Sequence, residues 1–213
     1  MGSTDFLLIA IEGIDGAGKT TYSKLLSRSL SNKFSKVIVE HEPSNTSIGK
    51  LVKKISRKKP DDALLLSLLY SVDRIYHAKK IEKYKKKGNV VICDRTYYST
   101  IAYQSYPLFE QGQFSSLDNA MQWNFELQKR VFPLKFNLKI YINVPVNISI
   151  ERTKTRKNLH PFEKESYLKN VKYVYDKITE KEQDWVILDG ADEIPKNLEK
   201  IEKKIEGILK TNQ

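Results

Sequence analysis

The chain has 213 residues, 40% of them hydrophobic and 30% charged, with a net charge of +11. That length and balance suit one large α/β domain with a substantial core, and no apolar run approaches the ~18 residues of a membrane span. A basic balance admits nucleic acid, acidic lipid or phosphate ligands, but the Lys-rich runs at 79–88 and 196–210 mix Glu with Lys and alternate with Ile, Leu and Tyr at helical spacing, so they read as solvated helix faces.

In chain order, FLLIAIE (6–12) is apolar without alternation and predicts a buried strand. A helix is expected from Lys19 through TTYSKLLSRSL, and KVIVEH (36–41) is a second strand. Helical patterns fill 47–57 and 61–86; the second carries Asp61 and Asp62 in its first turn after Pro60 and stops at Gly88-Asn89. NVVICD (89–94) is a third strand, followed by helices near 98–106 and 116–131. FNLKIYINV (136–144), ended by Pro145, and DWVILDG (184–190), ended by Gly190, are the fourth and fifth strands. Residues 107–116 and the cation-rich 153–162 have the weakest periodicity and read as loops. Strands alternating with helices predict a parallel sheet covered on both faces.

Between the first strand and its helix, Gly13-Ile14-Asp15-Gly16-Ala17-Gly18-Lys19-Thr20 fits G-x-x-x-x-G-K-[ST] at every specified position. Strand, glycine-rich turn and helix are the context this phosphate-binding loop requires. Glycines let backbone N–H groups turn inward around phosphate oxygens, and the helix dipole adds to the field. Lys19 is expected at the β- and γ-phosphates and Thr20 on Mg²⁺. The loop from Gly13 through Thr21 thus predicts nucleoside triphosphate binding and, with the strand pattern and the basic stretch after the fourth strand, a three-layer P-loop fold with a five-stranded parallel sheet and a short lid, as one domain over 1–213. The dinucleotide fingerprint G-x-G-x-x-G fails, because Thr21 occupies its third glycine position. The loop alone leaves the phosphoryl acceptor open.

Three stretches bear on the acceptor. Asp94-Arg95 follow the third strand at the carboxyl edge of the sheet, where ligands bind; Asp94 suits Mg²⁺ through a water, and Arg95 suits a bidentate clamp on a phosphate. Tyr70 and Arg74, four apart, place an aromatic plate and a guanidinium on one helix face, which suits a nucleobase; core packing and a surface ion pair are the plainer reading. Arg152, Lys154, Arg156 and Lys157 fall within six residues after the fourth strand, as in a cationic segment that closes over a transferring phosphoryl group.

Taken together these segments resemble the thymidylate kinase family. The resemblance runs from residue 6 to about 175 through IEGIDGAGKTT (11–21), HEPSNT (41–46), LLYSVDR (68–74), DRT (94–96) followed by STIAYQ, and the basic stretch 151–157. It implies transfer of the ATP γ-phosphoryl group to dTMP with Mg²⁺, an acceptor helix at about 61–86 and a lid at about 151–162. By position it implies that Asp15 lies by the acceptor sugar, that Arg95 binds the dTMP phosphate, and that Tyr70 stacks on thymine while Arg74 bonds its carbonyl. Ser99 and Gln104 would line the same pocket, with Tyr103 under the sugar favouring deoxyribose. Gly16 stands where some members carry a catalytic arginine, so Arg152 and Arg156 become the candidates beside Lys19 for stabilising the transition state. A homodimer, through an apolar face within 64–76 or 98–131, is also implied. His41 replaces the usual arginine before Glu-Pro, with His41 or Lys50 as candidate substitutes, and Thr96 replaces a tyrosine. His77 and His160 read as structural or surface residues. Another nucleoside monophosphate such as dUMP as acceptor, or a nucleic-acid-binding ATPase, are the alternatives. With no aromatic-basic recognition motif, no nucleic-acid or membrane partner is expected, and the lone Cys93 suits a reducing cytoplasm.

Overall fold

The computed structural model describes residues 6–154, 162 and 164–211. Five parallel strands, β1 (Leu7–Glu12), β2 (Val37–His41), β3 (Val90–Asp94), β4 (Leu138–Asn143) and β5 (Trp185–Asp189), lie in the order β2-β3-β1-β4-β5. β1 and β3 are buried at every position. This is why their sequences are continuous apolar runs rather than alternating ones. Register places Ile11 beside Asp94 and His41 beside Asp94, so three strand ends converge where β1, β2 and β3 finish.

The helices are α1 (Lys19–Leu30), α2 (Ser47–Lys58), α3 (Ala63–Lys85), α4 (Tyr97–Glu110), α5 (Leu117–Val131), α6 (Val146–Thr153), α7 (Glu165–Lys181) and α8 (Ile194–Thr211). The chain steps from β1 outward past β3 to β2, then returns and moves only the other way. Right-handed crossovers therefore put α1 on one face and α3, α4 and α7 on the other. The contacts agree: α1 meets α8, while α3, α4, α5 and α7 pack together. The reversal of direction occurs at β1, and the crevice at its carboxyl end is where an open α/β sheet takes its ligand.

Two expectations need correction. Residues 107–110 are not loop: α4 continues to Glu110 with Pro107 inside it. A proline there has no N–H for the carbonyl four residues back. That carbonyl belongs to Tyr103, and the Tyr167 hydroxyl donates to it at 2.5 Å, so α7 supplies the missing donor. Asp61 and Asp62 do not lie in the first turn of α3. Asp62 is its cap, accepting from Leu65 N at 3.1 Å, and the helix begins at Ala63. Helices α6 and α7 add to the sequence-predicted set.

Candidate active site

Loop 13–18 turns from β1 into α1, whose N-terminus at Gly18 has no side-chain cap. Its first N–H groups are thus free of intrahelical partners and face the loop. Gly16 has φ +78°, and a Cβ there would lie 2.5 Å from the carbonyl oxygen of Ser149. The Ser149 hydroxyl also donates to Asp15 O. Helix α6 sits directly on the loop, so a side chain at Gly16, arginine included, has no room without moving α6.

Lys19 curls over the loop, its Nζ donating to Gly13 O at 3.0 Å and Ile14 O at 2.7 Å. Burial pushes its ammonium down to about 8, and Arg95 adds to this while Asp15, Asp94 and Glu12 oppose it. The Thr20 hydroxyl donates to Asp94 Oδ2 at 2.6 Å. Among the described residues no group of three His, Cys, Asp or Glu side chains gathers as a metal cage. One hydroxyl and one carboxylate beside a phosphate loop nevertheless fit Mg²⁺, which keeps several waters and takes its other ligands from phosphates.

Beside this loop a cleft of about 390 Å³ is lined by residues that include Asp15, Lys53, Tyr70, Arg95, Tyr103 and Gln104. Arg74, Thr96 and Ser99 line it too. The structure thus gathers Asp15, Tyr70, Arg74, Arg95, Ser99, Tyr103 and Gln104 into one cavity. Arg95 has φ +73°, a left-handed backbone that costs a non-glycine residue roughly 1 kcal/mol or more. It is held by Arg95 N donating to Ile11 O at 3.1 Å. Its guanidinium donates to Asp15 Oδ1, to Ser99 Oγ at 3.0 Å and to Tyr103 OH at 3.3 Å. The Tyr103 hydroxyl donates to Asp15 Oδ2 at 3.0 Å. Asp15 therefore faces Arg95 and Tyr103 in the cleft, which accounts for a carboxylate inside a phosphate loop.

Arg74 departs from expectation. It is 1% exposed rather than in a surface pair, and its guanidinium is largely committed within the protein. Nε donates to Glu42 Oε2 at 2.9 Å, Nη2 to Glu42 and to Thr100 Oγ1 at 3.0 Å, and Nη1 to Gln128. Burial alone would raise the Glu42 carboxyl, but Arg74 and the His77 imidazole outweigh it and hold it at about 2. Neither His41 nor Lys50 lines the cleft. His41 bonds Asn45 at 3.1 Å, and α2 turns Lys53 and Arg57 to the cleft instead. Gln104 is 1% exposed and lines the cleft, and its Oε1 has no hydrogen-bond partner among the described residues.

Arg152 lies on α6 and donates to Gly190 O at 2.9 Å, which brings α6 against the turn after β5. Arg156, Lys157 and His160 fall outside the described residues. Sequence reasoning missed Glu12, which is fully buried at the end of β1 and accepts from Thr96, Ser99 and Tyr175. A carboxylate closing an otherwise apolar strand was the signal.

Residues 11–201 match the thymidylate kinase family. The chain belongs to that family. It is 34% identical to a probable thymidylate kinase of Methanocaldococcus jannaschii across 97% of both chains. It is 36% identical to one of Metallosphaera sedula across 86% of this chain and 84% of that one. Its structure resembles that of a thymidylate kinase from Ehrlichia chaffeensis, with a TM-score of 0.71, 26% identity, and 95% of this chain and 99% of the other covered. Among the described residues no helix is long and apolar enough to cross a membrane.

Proposed function

We propose that this thymidylate kinase binds ATP at loop 13–21 and dTMP in the cleft beside it, and moves the γ-phosphoryl group in line between them, giving dTDP and ADP. The observation that carries the acceptor reading is Gln104. A buried carbonyl oxygen without a donor is costly, and a thymine ring supplies one at its N3–H. Cytosine presents a lone pair at that atom instead. Tyr70 lies in the same wall, suited to stack on the base. Arg74 sits behind it with its N–H groups mostly spent on Glu42, Gln128 and Thr100, which leaves a lesser role at a base carbonyl.

The chain's own residues divide the work. Arg95, with Asp15, Lys53 and Arg57 around it, holds the acceptor's phosphate. Tyr103, lying against Arg95 with the ring centre 5.0 Å from the guanidinium carbon, fills the space under the sugar. Lys19 and the loop N–H groups orient the β- and γ-phosphates. Mg²⁺, held by Thr20 and through water by Asp94, would neutralise charge on those phosphates when bound. Arg152 and Arg156 are the cations we assign to the transferring group, and Thr21 and Ala17 complete the loop. Positioning and charge carry such a reaction, so no general base is invoked.

A coupled ADP-release assay with dTMP, dUMP, dCMP, dGMP, UMP, AMP and thymidine tests this. Expected is a kcat/KM for dTMP at least about a hundredfold above that for dCMP, since a pocket built to bond an N–H rejects a ring lacking it. Equal turnover of dCMP would void the role of Gln104. Turnover without any acceptor would favour an ATPase.

A homodimer and a cytoplasmic setting complete the reading. The outer face of α3 exposes Leu68, Val72, Ile75 and Tyr76. With Leu64 they recur at spacings of four and three, as in a helix-packing seam. The other candidate face, within 98–131, exposes only Phe109 among the large apolar residues of the described chain. Light scattering should find twice the chain mass in solution, and Val72→Glu should halve it. A monomeric parent would sink the dimer. The cytoplasmic setting rests on the lone cysteine, Cys93, whose thiol is buried.

A further inference from the structure

Glu12 and Tyr175 do not line the cleft, yet they stand directly behind its arginine. Glu12 Oε1 accepts from Thr96 N at 2.6 Å and Thr96 Oγ1 at 2.7 Å. Glu12 Oε2 accepts from Ser99 Oγ and from the Tyr175 hydroxyl, each at 2.7 Å. Those two hydroxyls lie 3.0 Å apart. Each owns one proton, and both protons are committed to the carboxylate. Ser99 Oγ is left with lone pairs only, and it presents one to Arg95 Nη1 at 3.0 Å. The direction of that bond follows from the guanidinium, which has only donors. Were the Ser99 proton to turn toward Arg95, two donors would meet head on.

We propose that Glu12, Ser99 and Tyr175 form a positioning unit for Arg95, holding its Nη1 end by an oriented hydroxyl while Asp15 holds its Nη2 end. The guanidinium is thereby fixed in the plane that meets an acceptor phosphate. The unit spans β1, α4 and α7, residues far apart in sequence, and Glu12 and Tyr175 reach the ligand only through Ser99 and Arg95. Tyr175 is 0% exposed and its ring stacks on Tyr141 at 5.2 Å and 24°, so the ring is packed and its hydroxyl has only polar work. The inference rests on the reading of Arg95 as the clamp on the acceptor phosphate.

The test is a double-mutant cycle in steady-state kinetics. Tyr175→Phe keeps the ring and removes the proton. It should raise KM for dTMP roughly tenfold, as expected for one hydrogen bond to a charged group, and leave KM for ATP unchanged. In an Arg95→Ala background the same change should do nothing more, because its effect passes through the arginine. Glu12→Gln should reproduce the dTMP defect; if it fails to fold, Tyr175→Phe carries the result. An unchanged KM for dTMP, a parallel rise in both KM values, or full additivity with Arg95→Ala would overturn the unit. An Arg95→Ala enzyme with normal dTMP kinetics would instead remove the clamp itself, and the unit with it.

Discussion

Lys19→Ala is expected to lower kcat by roughly a hundred- to thousandfold, the range for removing one preorganised donor from a developing charge. The structure adds a second, more specific expectation. In the free protein burial holds the Lys19 ammonium at about 8, so above that pH the side chain is mostly neutral. A bound triphosphate brings negative charge to Nζ and favours the ammonium. ATP binding above pH 8 should therefore take up protons, and ATP affinity should weaken as pH rises from 8 to 9.5. Below pH 7 both states carry the proton and the effect should vanish. Titration calorimetry at pH 8.5 in buffers of different ionisation enthalpy measures the uptake. Lys19→Met should abolish it. Equal uptake by Lys19→Met would assign the proton to another group, and no uptake by the parent would show that burial does not hold Lys19 near 8 in the free protein.

Much of this site was legible because its chemistry is local. The phosphate loop, the Asp94-Arg95 pair and the five apolar strands each declare themselves within ten residues, and all five strands lie where their patterns place them. What escaped was nonlocal or contradicted its own local signal. In α6, Val146, Ile148 and Ile150 alternate as a strand would, and the segment is helical in the fold, where it seats on loop 13–18. In α7 the stripe Leu168, Val171, Val174, Tyr175 and Ile178 does carry helical period, but it follows a basic stretch that draws the eye to loops. Pro107 hides the last turn of α4, since its cost is met by a hydroxyl sixty residues on. No pattern rule pairs Arg74 with Glu42, which lie on different elements and meet only through the packing of α3 over the end of β2. A guanidinium on a helix face looks free to meet a ligand until its partner is known.

That buried pair yields the other large effect. Arg74→Met should destabilise the protein by about 3–5 kcal/mol, because it strands a buried carboxylate; for a chain of this size that is a fall of roughly 6–20 °C in melting temperature. The pH dependence distinguishes this from a simple packing loss. In the parent, Glu42 is held at about 2, below its ordinary value of 4.5. It therefore contributes stability that is fully present above pH 4.5 and is lost as pH falls toward 2. In Arg74→Met the burial effect wins, the carboxyl rises above 4.5, and the sign reverses: the variant gains stability relative to the parent as Glu42 takes a proton. The melting gap should thus be widest at pH 7 and narrow by pH 4. Adding Glu42→Gln should restore most of the loss at pH 7, since the stranded charge is gone, though His77 would keep a hydrogen-bond partner at Nδ1. Calorimetric melting of the three proteins at both pH values decides it. A gap that stays constant with pH, unrelieved by Glu42→Gln, would mean that Arg74 stabilises through its bonds to Gln128 and Thr100, and that the ion pair merely accompanies them.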